Sequence, residues 1–207
     1  MELRPEEEDE GWLLSYADLI TNLLIFFVML LSAAEISESK MQQIQQRLSG
    51  VKSPSSLSAI QEEVEARIRE QELEALVRTE LSDDGLKLSL NSGLVFDSGA
   101  AFIREDLVPT LRSMLGTLTP YGGRYHFAVE GHTDERPMMN SRFPSNWELS
   151  TARANALRAH LEAGGIAPER IRVEGYAATR RLPESELAGL NEAERLARHR
   201  RVVVRIY

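Results

Sequence analysis

Residues 12–34 read WLLSYADLITNLLIFFVMLLSAA, an apolar run of 23 residues interrupted by one charge, Asp18. As a helix rising 1.5 Å per residue it would extend roughly 34 Å, enough to cross a hydrocarbon layer of about 30 Å. A secretory signal is the first competing reading. The preceding MELRPEEEDEG is acidic where a signal is basic, and the apolar run is too long for one. The buried helix of a water-soluble core is the second. Length and poverty in charge favour a membrane span, so the lipid bilayer is the solvent for this end of the chain.

A carboxylate inside a bilayer is costly, about 2.5–3.5 kcal/mol on insertion scales, and by default marks an ion path. At 100° per residue Ser15, Asp18 and Asn22 fall within roughly 60° of one another, with Thr21 beside them. This polar stripe is expected to face another helix or a water-filled channel rather than lipid. A carboxyl so placed is able to take up and release a proton near neutral pH. The competing role for Asp18 is hydrogen-bonded glue between helices. Lys and Arg counts, Arg4 before the span against Lys40, Arg47 and Lys52 after it, would put the far side in the cytoplasm. The character of the C-terminal region outweighs that small difference.

Beyond the span, residues 35–48 carry Ile36, Met41, Ile44 and Leu48 at near-helical spacing, and SGVKSPSS then reads as a linker. Leu57 to Leu81 is expected to be one more helix, facing the surface or a partner, before the turn SDDG. Residues 86–207 read as an α/β module of order β-α-β-α-β-α-β, its helices packed on one mixed sheet. LKLSL, YHFAVEGHTD, IRVEGY and RRVVVRIY supply the strands. GLVFDSG is expected to continue the first strand through a turn. The helices are expected over about 104–118, from Ser145-Asn-Trp-Glu148 (read as a capping box) to about Ala163, and over 191–199. The chain thus divides into a tail (1–11), a span (12–34), linking helices (35–85) and a folded domain (86–207).

Hydrophobic residues make up 43% of the 207, which excludes wholesale disorder, and the net charge of −8 argues against nucleic acid as partner. Without cysteine there are neither disulfides nor thiolate metal sites. His126, His132, His160 and His199 show no metal-ligand spacing, and no acid–base pair suggests a hydrolase, so neither an enzyme nor a cofactor is expected. The arginines at 195, 198, 200, 201 and 205 read as a solvated face diluted by Glu192 and Glu194.

One residue in the domain stands out. On the 146–163 helix, Leu149, Ala156, Leu157 and His160 are expected inward, with Glu148, Thr151, Asn155, Arg158 and Glu162 outward. Arg153 falls in the apolar stripe. A charge there needs a partner. Asp134 is the candidate, as a salt bridge or as the other half of a site for a ligand bearing a carboxylate and an ammonium on one carbon.

The run Trp12-Leu-Leu-Ser-Tyr16-Ala-Asp18, with Thr21 and the Phe26–Phe27 pair, resembles the single membrane segment of flagellar stator B subunits, the MotB family. LVFDSGAA, GHTDERP, SNWELSTARA and RHRRVVVRI, within residues 94–207, resemble the OmpA-like peptidoglycan-binding domain of those subunits. The resemblance implies an inner-membrane, single-pass, non-enzymatic motor subunit, with its N-terminus cytoplasmic and its domain periplasmic. Asp18 would carry H+ or Na+, supported by Ser15, Tyr16, Thr21 and Asn22. Thr133, Asp134, Asn146, Leu149 and Arg153 would grip the diaminopimelate of peptidoglycan, and residues 35–48 would form a plug. A second copy of the chain and a ring of multi-helix A-type subunits would be its partners. Ala178, Arg181 and His199 depart from the family pattern without touching these positions. Stator-like pairs also serve the Zorya anti-phage system, and a passive wall tether would need the domain but not Asp18.

Overall fold

The computed structural model describes residues 11–33, 56–138 and 140–207. The chain divides into two compact units, residues 1–45 and 46–207. In the first, helix α1 (Gly11–Ala33) runs unbroken through the apolar segment. Its Trp12–Leu30 stretch has a mean hydropathy of 2.0 and none of it is buried. A helix this apolar, with none of that stretch buried among the described residues, is stable only where lipid or other helices replace water. The expected plug at 35–48 lies outside the described residues.

The second unit is built on a five-stranded sheet: β1 (Val77–Ser82), β2 (Gly85–Asn91), β3 (Phe127–His132), β4 (Ile171–Gly175) and β5 (Arg201–Ile206). The spatial order is β1-β2-β5-β3-β4, antiparallel throughout except for the β3–β4 pair. The sheet is mixed, as expected, with one strand more than the sequence pattern suggested. Leu57–Leu81 is not one helix. Helix α2 (Leu57–Glu70) ends at Gln71, the chain turns through Glu72 at φ 54°, and VRTELS forms β1. The apolar spacing that reads as helical up to Ile68 gives way to alternation from Val77. A two-residue Asp83–Asp84 loop then closes the β1–β2 hairpin. Gly85 takes φ +121°, and a Cβ there would lie 2.1 Å from the Ile206 carbonyl oxygen.

Nor does α2 present itself to a partner. Ile60, Val64 and Ile68 are buried in the same core as Leu86, Leu88 and Leu90 of β2, Phe127 and Val129 of β3, and Val204 and Ile206 of β5. Helix α3 (Ser92–Val95) is one turn, capped by the Asn91 side chain accepting from the Gly93 N–H, where a continued strand was expected. An isolated bridge between Phe96 and Ile103 then closes the 97–102 loop. The expected 104–118 helix is shorter: a 3-10 turn at Glu105–Leu107 leads into α4 (Val108–Gly116), whose first turn holds Pro109, a residue with no N–H to leave unpaired.

Helix α5 (Asn146–Ala163) lies across β3 and β4, and α6 (Glu184–Leu187) and α7 (Glu192–His199) precede β5. The approach of α5 is close. A Cβ on Gly131 would meet the Ser150 carbonyl oxygen at 2.0 Å, so only glycine lets the helix seat against the end of β3.

Candidate functional site

The site begins where β3 ends. Residue His132 pairs with Arg201 across the β3–β5 ladder, so the residues that follow β3, Thr133 and Asp134, emerge beside Arg200. Asp134 is 8% exposed. Its Oδ2 accepts from Arg200 Nη1 at 2.7 Å and its Oδ1 from the Arg136 backbone N–H at 3.2 Å. Asn146, at the first turn of α5, donates from Nδ2 to the carbonyl of Arg136 at 3.0 Å and, at 3.4 Å, to that of Asp134. These bonds hold the 134–136 backbone against the helix start. The Thr133 N–H donates to Ala177 at 2.8 Å, while its buried hydroxyl has no hydrogen-bond partner among the described residues.

Arg153 forms the opposite wall. It is 5% exposed, and its Nε donates to the Ala100 carbonyl at 2.8 Å and its Nη2 to that of Asp97 at 3.3 Å. The guanidinium carbon lies 5.1 Å from the centre of the Phe96 ring. No carboxylate pairs with it among the described residues. Burial pulls its pKa down to about 10, with Arg200 adding repulsion and Asp134 drawing it back. It therefore stays cationic at neutral pH, buried and without an anion.

Thr133, Asp134, Asn146, Leu149 and Arg153 all line one cleft of about 390 Å³, together with Arg136 and Arg200. The five positions named from the sequence are thus brought together. The partner expected for Arg153 is corrected: Asp134 pairs with Arg200, the residue the sequence consigned to a solvated face. The available signal was position. Arg200 precedes the C-terminal strand, and an antiparallel pairing of that strand with β3 puts it beside Asp134. Three cations and one carboxylate on the walls leave room for a ligand anion at Arg153.

The buried stripe of α5 is Leu149, Ser150, Arg153, Ala154, Leu157 and Leu161. Ala156 and His160 are half-buried rather than central to it. Ser145 caps the helix, its hydroxyl accepting from the Trp147 N–H and donating to the Glu148 carboxylate. The reciprocal bonds of a full capping box occur instead at Asn191 and Glu194, opening α7.

A second charged cluster lies beyond the cleft. Glu130 Oε1 accepts from Arg205 Nε at 2.7 Å, and His132 Nε2 stands 3.7 Å from Glu130 Oε2, too far for a hydrogen bond. Burial works to raise the Glu130 pKa, but His132 and Arg205 overcome it and hold it at about 2. This cation has its anion within the chain.

On α1, Ser15, Tyr16, Asp18, Thr21 and Asn22 are all exposed. The Thr21 hydroxyl donates to the Asp18 backbone carbonyl at 2.9 Å, and the Asp18 carboxylate has no salt bridge among the described residues.

Two family models match the chain. The one described as membrane MotB of the proton-channel complex MotA/MotB covers residues 2–51, and the OmpA family covers residues 95–195. Motility protein B of Bacillus subtilis (strain 168) is 28% identical over 245 residues, spanning 97% of this chain and 92% of that protein. Together these matches support a MotB-family protein. Its MotB-like fold extends to solved structures. The periplasmic domain of Helicobacter pylori MotB is similar at a TM-score of 0.55 and 25% identity, covering 63% of this chain and 80% of that one. The cell wall anchor of the T6SS from Pseudomonas aeruginosa is similar at a TM-score of 0.59 and 28% identity, covering 70% and 96%. The MotB segment match includes Asp18, and the OmpA match includes the whole cleft except Gly93 and Arg200.

Proposed function

We propose that this chain is the wall-anchored B subunit of an ion-driven motor of the MotA/MotB type. Asp18 is the group that takes up and releases the ion, H+ or Na+, and the C-terminal domain holds peptidoglycan. The observation that carries the anchoring half is Arg153, a buried cation with no anion on it among the described residues, in one cleft with a carboxylate. A diaminopimelate side chain brings a carboxylate for Arg153 and an ammonium for Asp134, so the ligand completes the charge pairing. Thr133, Asn146 and Leu149 shape the same cleft. Support for the motor half comes from the lone carboxylate on an apolar helix and from the MotB match over that helix.

In this reading residues 35–207 are periplasmic and the acidic tail cytoplasmic, because peptidoglycan lies outside the inner membrane. The polar stripe of α1 faces a second copy of the chain and an A-type multi-helix subunit. A periplasm-dependent reporter fused after Tyr207 should be active, and one fused before Met1 inactive. The reverse pattern excludes wall binding.

Asp18→Asn tests the motor. The amide keeps size and hydrogen bonding but loses the charge and the exchangeable proton. The variant should assemble with the A-type partner and abolish function in the cognate system, whether motility or phage resistance, while Asp18→Glu retains part of it. A working Asp18→Asn complex would reduce the protein to a passive tether.

A further inference from the structure

A second cavity, of about 360 Å³, is lined by β1, β2, the start of β5 and the α6–α7 segment. Its walls carry four guanidiniums, of Arg78, Arg198, Arg200 and Arg201, against two carboxylates, of Glu80 and Glu186. In a chain of net charge −8 this is a local excess of cations. Arg200 is taken by Asp134. The other three have no salt bridge among the described residues. Arg201 is tied only to backbone, donating to the carbonyls of Arg180 at 3.2 Å and His199 at 3.4 Å. It thereby repeats the situation of Arg153, a guanidinium steered by carbonyls with no anion on it.

The electrostatics agree with that geometry. Burial lowers the pKa of Arg78, and the charge of Arg198 across the groove lowers it further, with only Glu186 opposing. Burial pulls Arg201 down to about 10, and Glu186 and Glu130 draw it back. Two exposed-to-half-buried arginines that repel each other across a concave surface are relieved by an oxyanion between them, which each fork can grip with two N–H groups. Ser89, which also lines the groove, adds a neutral hydroxyl.

We propose that this groove is an oxyanion site, taking a carboxylate or phosphate through Arg78, Arg198 and Arg201. Arg200 lines both this groove and the cleft, so the two adjoin. The groove is then a second subsite for the polymer held in the cleft, a step that rests on the wall-binding reading. The anion itself is either a carboxylate of the wall peptide or a phosphodiester of a polymer attached to it.

The test uses the full chain in non-ionic detergent. Citrate and inorganic pyrophosphate serve as soluble probes, followed by calorimetry at low salt. At least one probe should bind the parent, and the double variant Arg78→Gln/Arg198→Gln should weaken it tenfold or more. Asp134→Ala, which releases Arg200 on the wall the two sites share, should bind the probe at least as tightly as the parent even where it abolishes wall binding, which separates failure of this site from failure of the wall reading. Binding of neither probe, or equal binding by the double variant, overturns the site. Sedimentation with sacculi then identifies the source. A loss of affinity in the double variant on sacculi stripped of phosphodiester polymers assigns a carboxylate. A loss confined to unstripped sacculi assigns a phosphate. No loss on either overturns the role as a second subsite.

Discussion

The two units of the chain handle charge in opposite ways. Helix α1 carries one ionisable carboxylate, Asp18, with no salt bridge among the described residues and no buried neighbour around it. The C-terminal unit carries many charges and answers most of its buried ones internally: Glu130 with Arg205, and Asp134 with Arg200. Arg153 is the exception in the cleft, held by two carbonyls and a ring but by no anion among the described residues. The contrast separates stabilising charges from working ones. A charge matched inside the fold contributes to stability, whereas one left unmatched at a cost in desolvation is placed for something outside the chain.

Breaking a matched pair should therefore unfold without unbinding. Glu130→Gln leaves Arg205 without its carboxylate in a largely buried setting, and should destabilise the domain by about 3 kcal/mol in denaturant melts. Wall binding of the folded fraction should be unchanged. The same pair sets the acid limb of stability. With its folded pKa at about 2, below the ordinary 4.5, Glu130 stabilises the fold above about pH 4.5, and that contribution fades as the pH falls towards 2. The variant should show a flatter acid limb over that window. If instead Glu130→Gln abolishes wall binding at full stability, the division between stabilising and working charges fails.

Arg200 straddles the division, and its effects should be smaller on both counts. Its side chain is 34% exposed, so solvent screens the bond to Asp134. Arg200→Gln should lower stability by about 1 kcal/mol and weaken wall binding about tenfold, because Asp134 loses the partner that aims it. Equilibrium unfolding and sacculus sedimentation on one preparation read both effects.

Much of this was legible in the sequence because it was written in periodicity. The apolar run of α1, the α5 boundaries and the position of Arg153 in a buried stripe all follow from spacing along one element. What was hidden depended on pairing between elements. VRTELS reads as the end of a helix until Leu86–Asn91 is placed beside it. Arg200 reads as solvated until β5 is inserted between β2 and β3. The Ala100 and Asp97 carbonyls that steer Arg153 come from a loop 53 and 56 residues away along the chain. A soluble fragment begun at residue 86, as periodicity suggested, would lack β1 and the buried face of α2.

The most direct measurement compares Arg153→Met and Asp134→Asn with the parent, in the full chain in detergent, for retention on purified peptidoglycan. Both substitutions keep side-chain bulk, and thermal melts on the same samples report folding. Each variant should lose retention a hundredfold or more while its melting midpoint stays within a few degrees, since Arg153 has no salt bridge to lose among the described residues and the Asp134–Arg200 bond is screened by solvent at the 34% exposed arginine. Diaminopimelate-containing peptide should raise the midpoint of the parent and of neither variant. Parent-like retention by either variant, with a lowered midpoint, would show that its charge serves the fold and contradict the account.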